Sequence, residues 1–410
     1  MESYRNVAAI VICLSILQMA LGALSIVGPL ALVSYGASSF EIGLVASTYA
    51  GGFLIGARYA PREIGLVGHI RAVCAFAGLA AVAAASLSIS SAIWWWMLVQ
   101  LVLGVSAASL LAAGESWIAD AAPEKQRGAV LGFYLVSAKL GFLLGPFLAA
   151  TVPGGDPRGF LVVVALLAAC LIPVAATRRD QPALSKTKPY SLIEVWGIAP
   201  AAIVAAFVAG LVNGSVVQLY SVFVASLGAG GTAALAAGFN AAMMIGSVIA
   251  QWPAGLISDR FDRRLVIAVL AGVSAIAALA MAILAPSLPM LGVFALAAVW
   301  GAGALSFYGI AVAHAADRAA PGEAPSLMSG ILMVWAIGSM VGPALAGFAM
   351  QAAGPVGLFY FAAAGLGALV VGMSIRRAEE APVPESEKSD FAPTPSTSIG
   401  AVDLNPMSDE

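Results

Sequence analysis

The chain has 410 residues, of which 61% are apolar and only 10% are charged. Soluble globular domains average about 45–50% apolar and about 25% charged residues, so this chain has too few charges to cover a water-soluble fold of its size. The formal net charge of −2 argues against a nucleic-acid partner. Composition therefore indicates an integral membrane protein whose apolar side chains face lipid.

Long apolar runs alternate with short polar breaks along the chain, and the runs are far too long for the strands of a transmembrane barrel. A membrane-spanning helix with a short connection occupies about 30 residues, so roughly twelve helices fit before the polar C-terminal end. We predict an all-α integral membrane fold whose twelve transmembrane helices, numbered here as spans one to twelve, cover residues 7–34, 40–57, 72–90, 93–119, 128–152, 160–176, 199–226, 232–257, 265–285, 290–316, 326–350 and 358–375.

Positive charge is concentrated on one predicted side of the membrane. Only Arg158 falls on the other side, and Lys139 lies inside a span. Loops rich in Lys and Arg face the cytoplasm, so we expect a multi-pass protein of the cell (inner) membrane with both termini cytoplasmic. The residues on the predicted cytoplasmic side are Arg5, Arg58, Arg62, Arg71, Lys125, Arg127, Arg178, Arg179, Lys186, Lys188, Arg260, Arg263, Arg264, Arg318, Arg376, Arg377 and Lys388.

The second half of the sequence repeats landmarks of the first half at a constant offset. The pairs, each separated by 197 positions, are Arg58 with Gly255, Arg62 with Asp259, Gly104 with Gly301, Asp120 with Asp317, and Gly145-Pro146 with Gly342-Pro343. This offset predicts two six-helix bundles in parallel orientation, at residues 1–176 and 199–377, joined by a cytoplasmic linker at 177–198. The tail at 378–410 contains eight acidic residues and five prolines, so we expect it to be disordered.

The decamer GLISDRFDRR at residues 255–264 joins spans eight and nine. It resembles the loop signature of the major facilitator superfamily, in which Gly and three further residues precede Asp-Arg, one residue, Gly and two basic residues. Asp262 stands where that pattern has Gly. Basic neighbours would hold Asp259 as a charge latch that differs between two conformations. The predicted cytoplasmic gate comprises Gly255, Asp259, Arg260, Arg263, Arg264, Asp120 and Asp317.

Further motifs extend this resemblance over nearly the whole chain outside the tail. ESWIAD at 115–120, RGAVLGFY at 127–134, QWPAGLISDRFDRR at 251–264 and FYGIAVAHAADRA at 307–319 look like the YcaD-like branch of the superfamily. The segment GFLLGP at 141–146 resembles the glycine-proline signature of antiporter members. The resemblance implies a twelve-helix transporter with alternating access. Two places depart from the pattern, because the first-half loop RYAPREIG at 58–65 is degenerate and Gln100 replaces a basic residue of span four.

Lys139 is the most informative polar residue within the apolar runs. It lies twelve residues beyond Arg127, roughly 18 Å along a helix, and so near the middle of a hydrocarbon core about 30 Å thick. It also points about 200° away from Gly141, and therefore away from a helix packed on the Gly141/Gly145 face. We favour a contact for an anionic group, or a charge that alternates with proton movement. The alternative is a structural ion pair or a side chain that extends to water.

Other polar side chains within the spans supply further candidates. Glu115 in span four and His314 in span ten are candidates for carrying a coupling proton, since both side-chain types can exchange protons. The alternative for each is an ordinary hydrogen-bonding role near a helix end. With Lys139, the expected substrate-binding residues are Gln18, Gln100, Asn213, Gln218, Asn240 and Tyr308, although amides can equally join helices by hydrogen bonds.

The sequence contains no Gly-x-Ser-x-Gly motif, no metal-spaced histidine pair and no phosphate-binding loop. We therefore expect neither an enzyme nor a bound cofactor or metal. The expected function is proton-coupled secondary transport of a small organic solute by a monomer in the lipid bilayer, with export favoured by the glycine-proline motif. The alternatives are proton-symport uptake of a small anion, and a non-transporting membrane receptor or scaffold that keeps the fold.

Overall fold

A computed structural model describes residues 2–121, 127–175, 192–228, 231–320 and 323–384, together with Lys388 and Phe391. Over these residues the chain is helical and forms no β-strand. The helices are α1 (Glu2–Ser34), α2 (Ser39–Val67), α3 (His69–Ser86), α4 (Ile93–Ala121), α5 (Arg127–Ala149), α6 (Arg158–Ala169), α7 (Leu171–Ala175), α8 (Leu192–Ile198), α9 (Pro200–Ser226), α10 (Thr232–Arg260), α11 (Arg263–Leu284), α12 (Met290–Ala304), α13 (Phe307–Ala316), α14 (Ala324–Ala353) and α15 (Gly357–Glu379).

Twelve helical segments of the described chain are long and apolar enough to cross a membrane, which confirms the predicted all-α fold with twelve spans. Nine of the spans are single helices, whereas span six is built from α6 with α7, span nine from α11 with a 3-10 turn at Ala285–Ser287, and span ten from α12 with α13. The short helix α8 occupies the end of the predicted linker. The rest of that linker, at residues 177–191, lies outside the described residues.

Successive spans run in opposite directions, so their ends form two faces of the molecule. The basic face carries the start of α1, the α2–α3 and α10–α11 connections and the end of α15, with Arg71, Arg264 and Arg376 among its residues. The opposite face carries the α1–α2, α5–α6 and α9–α10 connections, and there Arg158 forms an ion pair of 2.6 Å with Asp156. The assignment of the basic face to the cytoplasm stays a prediction from charge.

Helix α2 corrects one sequence expectation. It continues to Val67, well beyond the predicted end of span two at residue 57, so the RYAPREIG segment at 58–65 is helical rather than a loop. Arginines and Pro61 end the apolar run but not the helix, because arginine is a good helix former and Pro61 is accommodated inside α2. Gly68, with a φ of 86°, then turns the chain directly into α3.

Glycines bring helices of each bundle together backbone to backbone. A Cβ atom on Gly145 of α5 would overlap the carbonyl of Met19 in α1, and a Cβ on Gly342 of α14 would overlap the carbonyl of Leu211 in α9. The two contacts are equivalent in the 197-residue repeat, since α5 and α14 are the fifth helices of their bundles. Lipid tails are as apolar as the helices, so the hydrophobic effect does not drive helix association in the membrane. Small residues instead let the helix backbones approach closely and pack.

Candidate functional site

A cavity of about 620 Å³ lies between the two helix bundles. Its wall is formed by α1, α2, α4 and α5 of the first bundle and by α9, α10, α13 and α14 of the second. Most of the lining residues are apolar, and single amide, hydroxyl and amine groups are placed among them. Its volume is within the range of about 300–1,000 Å³ that is typical of small-molecule sites.

Lys139 projects from α5 into this cavity, where its Nζ donates a hydrogen bond to Oε1 of Gln251 on α10. Gly141 and Gly145 pack on α1, and a Cβ on either residue would overlap a carbonyl of that helix. The helical spacing in the sequence predicts this division of α5 into a packed side and a cavity side. The bond joins the two bundles, and Lys139 has no carboxylate partner among the described residues.

Six of the seven side chains predicted for substrate binding line the cavity, and they are Lys139, Gln18, Gln100, Asn213, Gln218 and Tyr308. Asn240 is completely buried elsewhere in the second bundle. In the cavity wall, Gln100 Oε1 and Asn213 Oδ1 are buried and accept no hydrogen bond from any described residue. Buried acceptors of this kind are normally satisfied by water or by a ligand.

The tenth span is interrupted beside the cavity, since α12 ends at Ala304 and α13 begins at Phe307. The freed carbonyl of Ala304 accepts a hydrogen bond of 2.6 Å from Nδ2 of Asn213. Leu305 and Tyr308, on either side of the junction, both line the cavity. Non-helical backbone at membrane depth is tolerated where it is buried in protein or lines a cavity. The predominantly apolar sequence of this span predicted one continuous helix.

Several polar residues of the cavity wall were not predicted from the sequence, among them Gln251 and Tyr134. Gln251 carried the signal that selected the other amides, because it is a polar residue inside an apolar span. Tyr134 carried no such signal, since aromatic residues are common in membrane helices. Trp252 and Trp335 also line the cavity, and nothing in the sequence distinguishes them from tryptophans that face lipid.

The two candidates for a coupling proton lie in different surroundings. Glu115 of α4 is completely buried outside the cavity lining and accepts a hydrogen bond from the hydroxyl of Tyr134. Because Tyr134 is part of the cavity wall, it lies between the cavity and this carboxyl group. His314 lies outside the lining, and its Nδ1 is 3.1 Å from Nη1 of Arg318 on the basic face.

Arg263 lies at the centre of an ion-pair network on the basic face. Its Nε and Nη2 donate to the two carboxylate oxygens of Asp317, over 2.6 and 3.2 Å, and its Nη1 donates to Oδ1 of Asp259 over 3.1 Å. Nη1 also donates to the hydroxyl of Ser258 over 3.0 Å. The network joins the start of α11 to the ends of α10 and α13. The predicted gate residues Asp259, Arg263 and Asp317 are therefore in contact with one another, all within the second bundle.

Arg264 forms a second group of contacts beside the first. It pairs with Asp262 over 3.1 Å and donates to the backbone carbonyls of Arg376 and Glu380 at the end of α15. Asp262 caps α11 by accepting the backbone N–H of Arg264. Burial would raise the pKa of Asp262, but hydrogen bonds from Arg264 and Arg377 outweigh burial and hold that pKa below its ordinary value.

Three further gate predictions have separate positions. Gly255 of α10 is buried against the ring of Phe391 from the C-terminal tail. Arg260 is the exposed last residue of α10. Asp120 lies in α4, and its side chain is outside the described residues.

Contacts between the two bundles hold them together toward the opposite face. The hydroxyls of Ser25 on α1 and Tyr220 on α9 are 3.2 Å apart. Helices α2 and α14 meet so closely that a Cβ on Gly43 would overlap the carbonyl of Pro343. Direct packing of helices therefore closes the cavity at this end, and the packing is close because Gly43 has no side chain.

The sequence matches the model of the Major Facilitator Superfamily over residues 10–249 and 202–407, which together cover nearly the whole chain. The chain belongs to the Major Facilitator Superfamily. Its fold of twelve spans and its relatives make it a multi-pass membrane transporter of that superfamily, and the resemblance carried by the sequence motifs is confirmed.

Curated superfamily relatives place the chain in the YcaD-like branch. The uncharacterized MFS-type transporter YcaD of Salmonella enteritidis PT4 is 25% identical over 358 residues, which are 86% of this chain and 91% of that protein. An uncharacterized MFS-type transporter of Enterobacter sp. (strain 638) is 25% identical over 394 residues, which are 94% of this chain and 99% of that protein.

Solved structures of superfamily members share the fold. The nucleoside transporter NupG matches with a TM-score of 0.74 at 11% identity, over 90% of this chain and 98% of that one. A bacterial homolog of the human lysosomal transporter Spinster matches with a TM-score of 0.70 at 18% identity, over 93% of this chain and 97% of that one. At such identities the likeness shows the arrangement of the helices and not the solute.

Proposed function

We propose that this superfamily member is a secondary active transporter that moves a small organic solute with an acidic group by alternating access to the central cavity. The observation that carries the proposal is Lys139, whose amine lies in the cavity wall with an amide as its partner. A charged residue at the centre of a membrane helix costs about 2.5–3.5 kcal/mol on insertion scales, so it is retained chiefly where it has a function. An anionic solute beside Nζ offsets that cost.

The other polar groups of the wall favour a solute that also carries hydrogen-bond donors. Gln100 Oε1 and Asn213 Oδ1 are acceptors that no described residue satisfies. Donors on the solute, such as hydroxyl or amino groups, would satisfy them directly or through water. Trp252 and Trp335 supply apolar surface for the carbon skeleton. A hydroxylated or aminated organic acid combines these features, and the cavity volume of about 620 Å³ accommodates it.

The way in which the two bundles meet supports alternating access. The contacts of Ser25 with Tyr220 and of Gly43 with Pro343 close the opposite face. Rocking of one bundle against the other would separate these pairs and bring the basic-face ends together around the same cavity. The hydrogen bond from Lys139 to Gln251 crosses between the bundles, so an anion that takes Gln251's place at Lys139 would change a contact that joins the two halves.

Proton coupling is assigned to Glu115. Its carboxyl group is completely buried and connects to the cavity wall through the hydroxyl of Tyr134. A carboxyl group connected to the cavity wall through a hydroxyl can exchange a proton when the solute site is open and hold it when the site is closed. His314 lies within the basic-face network and contacts Arg318, which favours a structural role for it.

The proposal further assigns the basic face to the cytoplasm, one chain to each functional unit, and export as the direction. The charge distribution supports the cytoplasmic assignment of the basic face, since Lys and Arg mark cytoplasmic loops. A functional unit of one chain is supported by the cavity, whose wall one chain supplies from both bundles. Export as the direction is supported by the glycine-proline motif at 141–146. Accumulation of the solute by energised vesicles in the uptake sense alone would overturn export.

A thermal-shift screen of the purified protein tests the solute class. Organic anions, cations and neutral solutes are compared on the wild type, on Lys139→Met, which keeps a long side chain without charge, and on Lys139→Arg, which keeps the charge. Stabilisation by hydroxylated or aminated acids that disappears in Lys139→Met and persists in part in Lys139→Arg is expected. Stabilisation by cations or neutral solutes that is equal in all three proteins would contradict the proposed site.

A further inference from the structure

Two residues of the C-terminal tail return to the basic face after α15 has ended at Glu379. Lys388 places its Nζ 2.7 Å from the carbonyl of Phe261 and 3.2 Å from that of Asp259, at the end of α10. The last carbonyls of a helix lack partners within the helix and carry partial negative charge. An ammonium group on these carbonyls therefore caps α10 with a residue more than 120 positions later in the chain.

Phe391 adds an aromatic contact and a backbone contact at the same place. Its backbone N–H donates to Oδ2 of Asp259 over 3.2 Å, while Oδ1 of that carboxylate accepts from Arg263. Its ring fills the space beside Gly255, where a Cβ would overlap it, and lies 3.5 Å from the position of a Cβ on Gly309. The aspartate of the loop signature is thus shared between Arg263 and the tail.

The position of this ring relates the tail to the cavity. Gly309 of α13 belongs to the cavity lining, next to Tyr308, and Phe391 packs directly on it. Trp252, three residues before Gly255 on α10, also lines the cavity. Phe391 therefore sits at the edge of the cavity on the basic face, where the two glycines leave room for a ring.

We propose that the end of α10 and the adjacent Gly255 and Gly309 form a docking surface for Lys388 and Phe391 of the chain's own tail, which restrict access to the cavity from the basic face while they are docked. These two residues supply one ammonium group for the helix end, one aromatic ring for the notch at Gly255 and Gly309 (the glycine notch) and one N–H for Asp259. Movement of α10 against α13 would alter all three contacts together. The alternative is an anchor that stabilises the tail without affecting access.

Docking and access are measured separately in a variant in which Cys13, Cys74 and Cys170 are replaced by alanine. For docking, a bis-maleimide should join Ala392→Cys, which keeps the Phe391 ring, to Arg260→Cys at the exposed end of α10 in the full-length chain. It should leave unjoined the control pair of Ala392→Cys with Gly354→Cys, because Gly354 lies on the opposite face. Failure of the first pair to crosslink more than the control pair would overturn the docking surface.

For access, the reporter is the rate at which Tyr308→Cys reacts with a water-soluble maleimide supplied at the basic face. Loss of the ring in Phe391→Ala is expected to lower the docked-to-undocked ratio by about fivefold or more and to speed the reaction correspondingly. Lys388→Ala should give a smaller increase, since a charge at a helix end contributes less than a partly buried aromatic ring. Leu404→Ala, which removes another apolar residue of the same tail, should have no effect.

Each outcome decides the matter. Crosslinking together with faster labelling in Phe391→Ala supports the proposal. Crosslinking with an unchanged labelling rate would show a tail that docks without restricting access, and would overturn it. Equal acceleration by Phe391→Ala and Leu404→Ala would also contradict it, because the effect would then not depend on the glycine notch. None of these readouts requires knowledge of the transported solute.

Discussion

Arg263 and Asp317 face each other across the basic end of the second bundle, with two parallel hydrogen bonds of 2.6 and 3.2 Å between the guanidinium and the carboxylate. Both side chains are only 1% exposed. Asp259, the aspartate of the loop signature, meets the same guanidinium from the end of α10. One cation thus holds the ends of three helices, so the sequence signature acts here as a clamp within one bundle.

Removal of one partner from this buried pair should be strongly destabilising. Asp317→Ala leaves the Arg263 guanidinium with one carboxylate fewer, which we expect to lower the free energy of unfolding by about 3–5 kcal/mol. Unfolding of the purified protein in detergent measures the loss. Glu379→Ala is the matched control, since its ion pair with Arg376 is exposed and is worth about 1 kcal/mol or less. Equal losses in the two variants would contradict the clamp.

The closed opposite face depends on the absence of a side chain at Gly43. A methyl group in Gly43→Ala would overlap the carbonyl of Pro343, so α2 and α14 must separate. We expect a cysteine at Leu32, a cavity residue near the opposite face, to react several-fold faster with an impermeant maleimide supplied from that face. Gly51→Ala is the control, because its Cβ would make an ordinary contact of 3.5 Å with Met340. An unchanged rate in Gly43→Ala would refute the packing argument.

Asp262 predicts a pH dependence of stability. Its pKa is lowered in the folded protein, so its contribution to stability is fully present above the usual carboxyl pKa of about 3.9 and is lost as the pH falls through the lowered value. Asp262→Asn should therefore be less stable than the wild type at neutral pH, and the difference should shrink as the solution is acidified. Thermal unfolding at a series of pH values measures this. A difference that stays constant down to low pH would show that the charge contributes nothing.

Glu115 should control the response to protons without providing the solute site. In Glu115→Gln the hydrogen bond from Tyr134 is retained in form, but the group can no longer release a proton. We expect exchange of solute across the membrane to persist and accumulation driven by a pH gradient to be lost. Proteoliposomes with and without an imposed gradient separate the two. Loss of both activities, or of neither, would contradict the assignment of coupling to Glu115.

Much of the fold follows from the sequence because membrane spans are set by local composition. Twelve apolar runs gave twelve spans, and the spacing of Gly141 and Gly145 placed Lys139 on the cavity side of α5. The extension of α2 to Val67 did not follow, since hydropathy marks the edge of the membrane and not the end of a helix. The break at Leu305 did not follow either, because the partner of the freed Ala304 carbonyl, Asn213, lies in another span.

The site was less predictable for a physical reason. Individual polar residues in apolar spans could be recognised one at a time, and most of them line the cavity. Their partners could not, since Gln251 meets Lys139 only because the two bundles face each other. The contacts of Lys388 and Phe391 likewise depend on where the tail meets the end of α10, and the acidic composition of the tail gives no sign of it.

Counterflow in proteoliposomes tests whether the protein carries an acidic solute through the cavity beside Lys139. Liposomes containing the wild type are loaded with an acid that stabilises the protein, and labelled acid is then supplied outside. We predict transient accumulation of label with the wild type, little accumulation with Lys139→Met, and partial recovery with Lys139→Arg. Stable binding without any counterflow would identify a receptor or scaffold instead. Equal counterflow in the wild type and Lys139→Met would show that the solute is carried elsewhere than beside Lys139.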